Sequence, residues 1–154
     1  MKIKAKSLIL GIWLALTLVA ANIPAEARST TGWNSFRVWQ PYGADNCVGE
    51  SLGAAFNRCS HNINLTFELV VDTAGSKSVT VLDRATQPGS MTCGAISFSP
   101  QNDTFIGSPS QKFDPGGQEA KTFQIFVNDG WTLSFYCWNV EPGAGIANIN
   151  WNPV

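Results

Sequence analysis

The segment Asn62–Asp72 (NINLTFELVVD) constrains this chain more than any other. Ile63, Leu65, Phe67, Leu69 and Val71 alternate with Asn64, Thr66, Glu68, Val70 and Asp72. Successive side chains of an extended strand point to opposite faces, so a period of two demands a long strand, dry on one side and wet on the other. Such a strand needs partners, and the chain supplies them. Ser78–Asp83 (SVTVLD) is rich in β-branched residues, and Ser90–Ser99 (SMTCGAISFS) alternates again, with Gly94 read as a bulge. Ala120–Val127 places Phe123, Ile125 and Val127 on one side. The Asn128-Asp129-Gly130 hairpin signature follows, leading into Trp131–Asn139. Ile146–Asn152 closes the series, Ser35–Gln40 precedes it, and Thr104–Ile106 is a short strand inside the Pro100–Gly117 loop. Ser51–Asn57 reads as one short helical turn. About seven strands with almost no helical periodicity predict an all-β fold. The expected form is a two-sheet antiparallel β-sandwich of immunoglobulin-like or jelly-roll-like type, with a small β-barrel as the alternative.

The N-terminus tells where such a domain is expected to work. Lys2, Lys4 and Lys6 precede the apolar run Leu8–Ala21, and Ala25-Glu26-Ala27 supplies a small-x-small cleavage pattern. That order is the order of a secretory signal peptide. The run is shorter than the roughly 20 residues that span a bilayer. We therefore expect residues 1–27 to be cleaved and residues 28–154 to form one secreted domain, extracellular or periplasmic and not membrane-spanning. In an oxidising compartment the four cysteines are expected to form two disulfides. Three pairings are open. Cys47–Cys59 with Cys93–Cys137 is the favoured set, because it closes one local loop and ties two predicted strands.

Two segments carry a resemblance. Val79–Cys93 (VTVLDRATQPGSMTC) and Gly130–Trp138 (GWTLSFYCW), followed by a short terminal strand, resemble small exported bacterial proteins of unassigned function. The resemblance spans roughly residues 62–154 and leaves out Cys47 and Cys59. It implies a sandwich and the Cys93–Cys137 pairing, and it implies no activity.

Composition removes several functions. Only 14% of the 154 residues are charged and the formal net charge is −1, so the chain lacks the basic surface that holds nucleic acid. His61 is the only histidine and sits at a loop-to-strand corner. Every cysteine is assigned to a disulfide, which leaves no free thiol nucleophile. The carboxylates are scattered; Glu68 and Asp72 share a strand face but lie about 13 Å apart at strand rise. No cysteine pair has CxxC spacing and no dense Asp run is present, which argues against zinc and calcium. Asn64 and Asn102 begin Asn-x-Ser/Thr sequences, which matter only in a glycosylating host. We expect no enzyme, no catalytic residue, no metal and no cofactor, with a small hydrolase built on His61 as the enzymatic alternative.

The positive lead is aromatic. If Cys137 points inward, so do Trp131, Leu133 and Phe135, which leaves Tyr136 and Trp138 facing out. Pairing of this strand with Ile146–Asn152 would set Trp138 opposite Asn148 and Tyr136 opposite Asn150. The expected ligand surface is therefore Tyr136, Trp138, Asn148, Asn150 and Asn152. Flat rings stack on C–H-rich sugar faces, and Asn amides both donate and accept hydrogen bonds. The expected role is a non-catalytic binding module for an extracellular glycan, of carbohydrate-binding or adhesin-like type. A protein-interaction module, such as an inhibitor or envelope component presenting the 100–117 loop, is the alternative.

Overall fold

The computed structural model describes residues 28–32, 36–38, 47–85, 89–101, 103–116 and 118–152. The expected signal peptide, the ends of the expected Ser35–Gln40 strand and Asn102 lie outside the described residues. Within them the chain is all-β and forms two antiparallel sheets that pack face to face.

The strands in chain order are β1 (Arg28–Thr31), β2 (Phe36–Val38), β3 (Val48–Ser51), β4 (Ala54–Asn57), β5 (Ile63–Leu69) and β6 (Gly75–Asp83). There follow β7 (Met91–Phe98), β8 (Phe105–Gly107), β9 (Gln111–Phe113), β10 (Ala120–Val127), β11 (Thr132–Val140) and β12 (Gly145–Trp151). Sheet A runs β10-β6-β12-β4-β3, with β1 also paired to β12. Sheet B runs β2-β5-β11-β7-β8, with β9 also paired to β7.

The sandwich is as expected, but it is built from more and shorter strands. Residues 51–57 are not a helical turn. Leu52 and Gly53 take positive φ values of 51° and 79° and reverse the chain between β3 and β4. Gly94 is not a bulge either, because the β7–β11 register runs unbroken from Phe98 to Thr92.

Alternation builds the core. Ile63, Leu65, Phe67 and Leu69 of β5 are buried, as are Val79 and Val81 of β6 and Leu133, Phe135 and Cys137 of β11. The sheets meet through aromatic contacts: Phe123 of sheet A stands edge-on to Phe135 of sheet B at 5.1 Å between centroids. Phe67 lies 6.2 Å from Phe135 on the other side. Trp151 is buried and donates its indole N–H to the Val70 carbonyl at 2.7 Å. Burying such large rings is the main favourable contribution to a domain of this size.

Two disulfides staple the fold, Cys47–Cys59 and Cys93–Cys137. The second joins directly opposed residues of β7 and β11 and points into the core. A buried Asn57 anchors the first. Its Nδ2 donates to the carbonyls of His61 (2.9 Å) and Val140 (2.7 Å), and its Oδ1 accepts the Cys59 N–H at 2.8 Å. The Asn57 backbone also binds the β11–β12 turn, donating to the Ala144 carbonyl and accepting from the Gly143 N–H.

The turn so held is where the expected topology fails. Rather than folding back beside β11, the chain leaves sheet B at Val140 and enters sheet A at Gly145. Glu141 is held in the crossing by reciprocal contacts: its N–H donates to the Ser90 carbonyl, and its carboxylate accepts the Ser90 N–H. Strand β11 therefore pairs with β5 and β7, while β12 pairs with β6, β4 and β1.

Candidate functional site

Tyr136 and Trp138 lie on the outer face of sheet B, opposite in direction to the buried Phe135 and Cys137. Their rings are nearly parallel, 5.6 Å apart with 25° between planes. The floor beneath them is cut away. Gly94 of β7 is the direct partner of Tyr136, and a Cβ built there would stand 3.9 Å from Cη2 of the Trp138 indole. The indole thus leans across β7 over bare backbone. Both aromatic side chains are half-buried. The Tyr136 hydroxyl is a protonated donor at neutral pH like any phenol, and burial raises its pKa further.

Polar groups frame the rings. Thr66 of β5 is paired with Tyr136, and Thr92 of β7 with Trp138. A bulge after Cys137 sets Asn139 at φ 50°, and its N–H donates to Asn64 Oδ1 at 3.3 Å. Beyond Gly94, Ser108 bridges the gap between β8 and β9. Its Oγ accepts the Ala95 N–H and its own N–H donates to the Ala95 carbonyl, both at 2.9 Å. Further along the same face Phe98 and Phe105 are cross-strand partners, 37% and 68% exposed.

The asparagines expected to complete this surface are elsewhere. Asn148, Asn150 and Asn152 belong to β12 and its continuation in sheet A, so Asn148 and Asn150 point outward on the opposite side of the sandwich. The expected pairs Trp138–Asn148 and Tyr136–Asn150 do not form. Asn148 is opposite Leu82 and Asn150 is opposite Thr80. The Oδ1 of Asn152 accepts the Ser78 N–H at 2.6 Å, extending the β12–β6 ladder. Side-chain orientation was read correctly and strand adjacency was not. On the aromatic face, Asn64, Thr66 and Thr92 take the place of those asparagines. Their outward positions were legible from alternation, but their nearness to Tyr136 and Trp138 required the pairing.

A second feature was missed. Trp131 is only half-buried, and it stands between two clefts at one end of the sandwich. The larger, about 380 Å³, lies between Glu68–Val71 and Trp131–Ser134. The smaller, about 230 Å³, is walled by Asp72–Ala74 and Val127–Gly130. Both flank the Asn128-Asp129-Gly130 turn, so the hairpin signature was the available signal.

Acid–base chemistry finds little to use. His61 is exposed in the turn before β5, and its carbonyl accepts from Asn57. Asp83 and Glu119 are neighbouring carboxylates, with the Glu119 N–H donating to Asp83 Oδ1. Burial, opposed by that hydrogen bond, raises the Asp83 pKa. Asp83 is 3% exposed and opens onto no cleft described above. Among the described residues no group of three or more His, Cys, Asp or Glu side chains is placed to hold a metal ion. Among them, too, no helix is long and apolar enough to cross a membrane.

No family model matches this chain, and no curated protein matches it. Solved structures do. The Podospora anserina GH26-CBM35 β-(1,4)-mannanase superposes with a TM-score of 0.52 at 13% identity, covering 84% of this chain and 28% of that one. This chain therefore spans less than a third of that enzyme. CBM35 from Paenibacillus barcinonensis gives 0.49 at 16% identity, covering 79% and 95%. A family 35 carbohydrate binding module from Clostridium thermocellum gives 0.47 at 10%, covering 84% and 100%. At such identities the first likeness is one of fold.

Proposed function

We propose that this chain is an exported, non-catalytic carbohydrate-binding module that holds its glycan on the Tyr136–Trp138 face of sheet B. The observation that carries this reading is the near-parallel ring pair leaning over Gly94, with Thr66, Thr92 and Asn64 around it. Stacking on a flat ring removes the apolar face of a sugar from water, while hydroxyls and amides meet its edges. The two disulfides support export, since they persist in oxidising compartments. The fold shared with a chain named for a mannanase and a CBM35 supports the same reading and puts β-1,4-mannan first among the glycans to try. The test is a tryptophan fluorescence titration against mannan, xylan and β-glucan, comparing the wild type with Trp138→Ala. Loss of the response in the variant is expected; identical curves would overturn the assignment.

A second reading rests on Phe98 and Phe105, an exposed aromatic pair at the edge of the same sheet. Large exposed rings side by side suit a protein partner docking on the 100–117 segment. Deleting Phe105 by alanine substitution separates the two, because glycan binding survives it and partner capture does not.

A further inference from the structure

The outer face of sheet A has an unusual property: across β1, β12, β6 and β10 it carries no charge. Those strands contain four charged residues, Arg28, Lys77, Asp83 and Lys121. Every one occupies a core-facing register position. Lys77 and Asp83 are buried at 1% and 3% exposure. Arg28 is paired with the buried Trp151, and its guanidinium meets Asp72 at 2.7 Å. Lys121 alternates with the buried Phe123 and reaches back to Glu119 and the Phe113 ring. A wetted sheet face is normally where charges accumulate, so this placement is inverted.

The face is instead an array of hydroxyls and amides. Ser29, Asn150, Thr80 and Thr122 form one continuous row across the four strands. Ser78 and Gln124 form the next, joined by a 3.2 Å hydrogen bond, and Thr80 and Thr122 share one of 2.9 Å. At strand spacing and rise the two rows cover about 14 Å across the strands and about 7 Å along them. Its two exposed large apolar residues, Leu82 and Phe126, sit at opposite ends of the β6–β10 ladder. They cannot form the contiguous apolar centre that a protein–protein interface or a second copy of this chain would bury.

We propose that this face is a second glycan-binding surface, for an uncharged polysaccharide chain laid flat across the strands. Its chemistry matches that ligand on two counts. Hydroxyls and amides donate and accept at once, as sugar hydroxyls do. Drying them on contact costs far less than drying a charge, which an uncharged ligand leaves without compensation. The surface extends the carbohydrate reading but does not use Tyr136 or Trp138, which lie on the other side of the sandwich. Two surfaces back to back make the domain bivalent, able to bridge two polysaccharide chains.

The test uses the secreted domain and insoluble β-1,4-mannan and cellulose, with polygalacturonate as the charged control. Depletion from solution is measured for wild type, Trp138→Ala, the double variant Thr122→Glu/Asn150→Glu, and all three substitutions together. Both glutamate positions are exposed, and circular dichroism with a melting curve confirms folding; Thr122→Glu alone is the fallback. We expect the double variant to bind a neutral polysaccharide at least about tenfold more weakly than wild type, as introduced charge must be dried. Trp138→Ala keeps residual binding that the triple variant loses. Wild type, but neither single-face variant, clouds a solution of soluble mannan. Unchanged binding in the double variant overturns the second surface, as does a failure of wild type to bind either neutral polymer. A wild-type dimer that the double variant dissociates assigns the face to a second copy instead and overturns it too. If Trp138→Ala matches wild type while the double variant loses binding, the aromatic site fails and this one stands.

Discussion

The two outer faces of the sandwich share one core and differ in almost everything else. Sheet B presents rings: Tyr136 and Trp138 over Gly94, with Phe98 and Phe105 beyond them, and charges at Glu68 and Lys112 toward the margins. Across β1, β12, β6 and β10, sheet A presents hydroxyls and amides with no charge, and the ionisable groups of those strands occupy core-facing positions. A strand's inner residues decide whether it folds, whereas its outer residues are free to vary. The two faces carry different residue types on the same buried scaffold.

The strongest perturbation should strike both faces alike. Replacing Cys93 and Cys137 by alanine opens a loop with a sequence separation of 44. We expect this to cost on the order of 4 kcal/mol, read as a lower urea midpoint, with glycan binding at both faces falling only as the protein unfolds. A variant that kept full stability would show that the two sheets do not depend on this staple. Next in size, Asn57→Ala leaves the carbonyls of His61 and Val140 and the Cys59 N–H without their partner. A loss of about 2–3 kcal/mol is expected in equilibrium unfolding.

The remaining predictions separate the faces. Gly94→Leu should push the Trp138 indole off β7 and weaken glycan binding about tenfold, with binding at sheet A unchanged. Gly94→Ala should bind as wild type, since every contact its Cβ would make is 3.6 Å or longer. Equal effects of the two substitutions would mean that the indole does not rest on that backbone.

Sheet A has its own signature in pH. Burial raises the Asp83 pKa above its usual 3.8, so the folded chain holds that proton more tightly than the unfolded chain. Asp83 therefore weakens the fold above its raised pKa, and that penalty disappears as the pH falls through the raised value toward 3.8. Asp83→Asn still accepts the Glu119 N–H. It should be at least as stable as wild type at pH 7, and the advantage should shrink toward pH 4 in melting curves. The smallest effect is Thr80→Val, which removes an exposed hydrogen bond to Thr122 and should cost no more than about 0.5–1 kcal/mol.

Much of this was legible in advance because it is local. The alternation of Ile63 to Leu69 marked the buried side of β5, and that of Leu133, Phe135 and Cys137 marked the buried side of β11. Trp138 was placed outward for the same reason. The β3–β4 hairpin was not legible, because its turn uses a positive φ at Leu52, a residue that seldom adopts one. Strand β9 was missed because three residues are too few to show a period.

By itself the sequence determined a sandwich, the inward or outward direction of its long strands, and cysteines suited to two staples, because side-chain alternation is a property of each strand alone. Only the tertiary structure decided which outward residues became neighbours. The turn at 141–144, clamped by Asn57 and Ser90, carries the chain from one sheet to the other. Tyr136 and Trp138 are thereby separated from Asn148 and Asn150 by the whole thickness of the core. Adjacency between strands is set by long-range packing and hydrogen bonding, and no short window of residues encodes it.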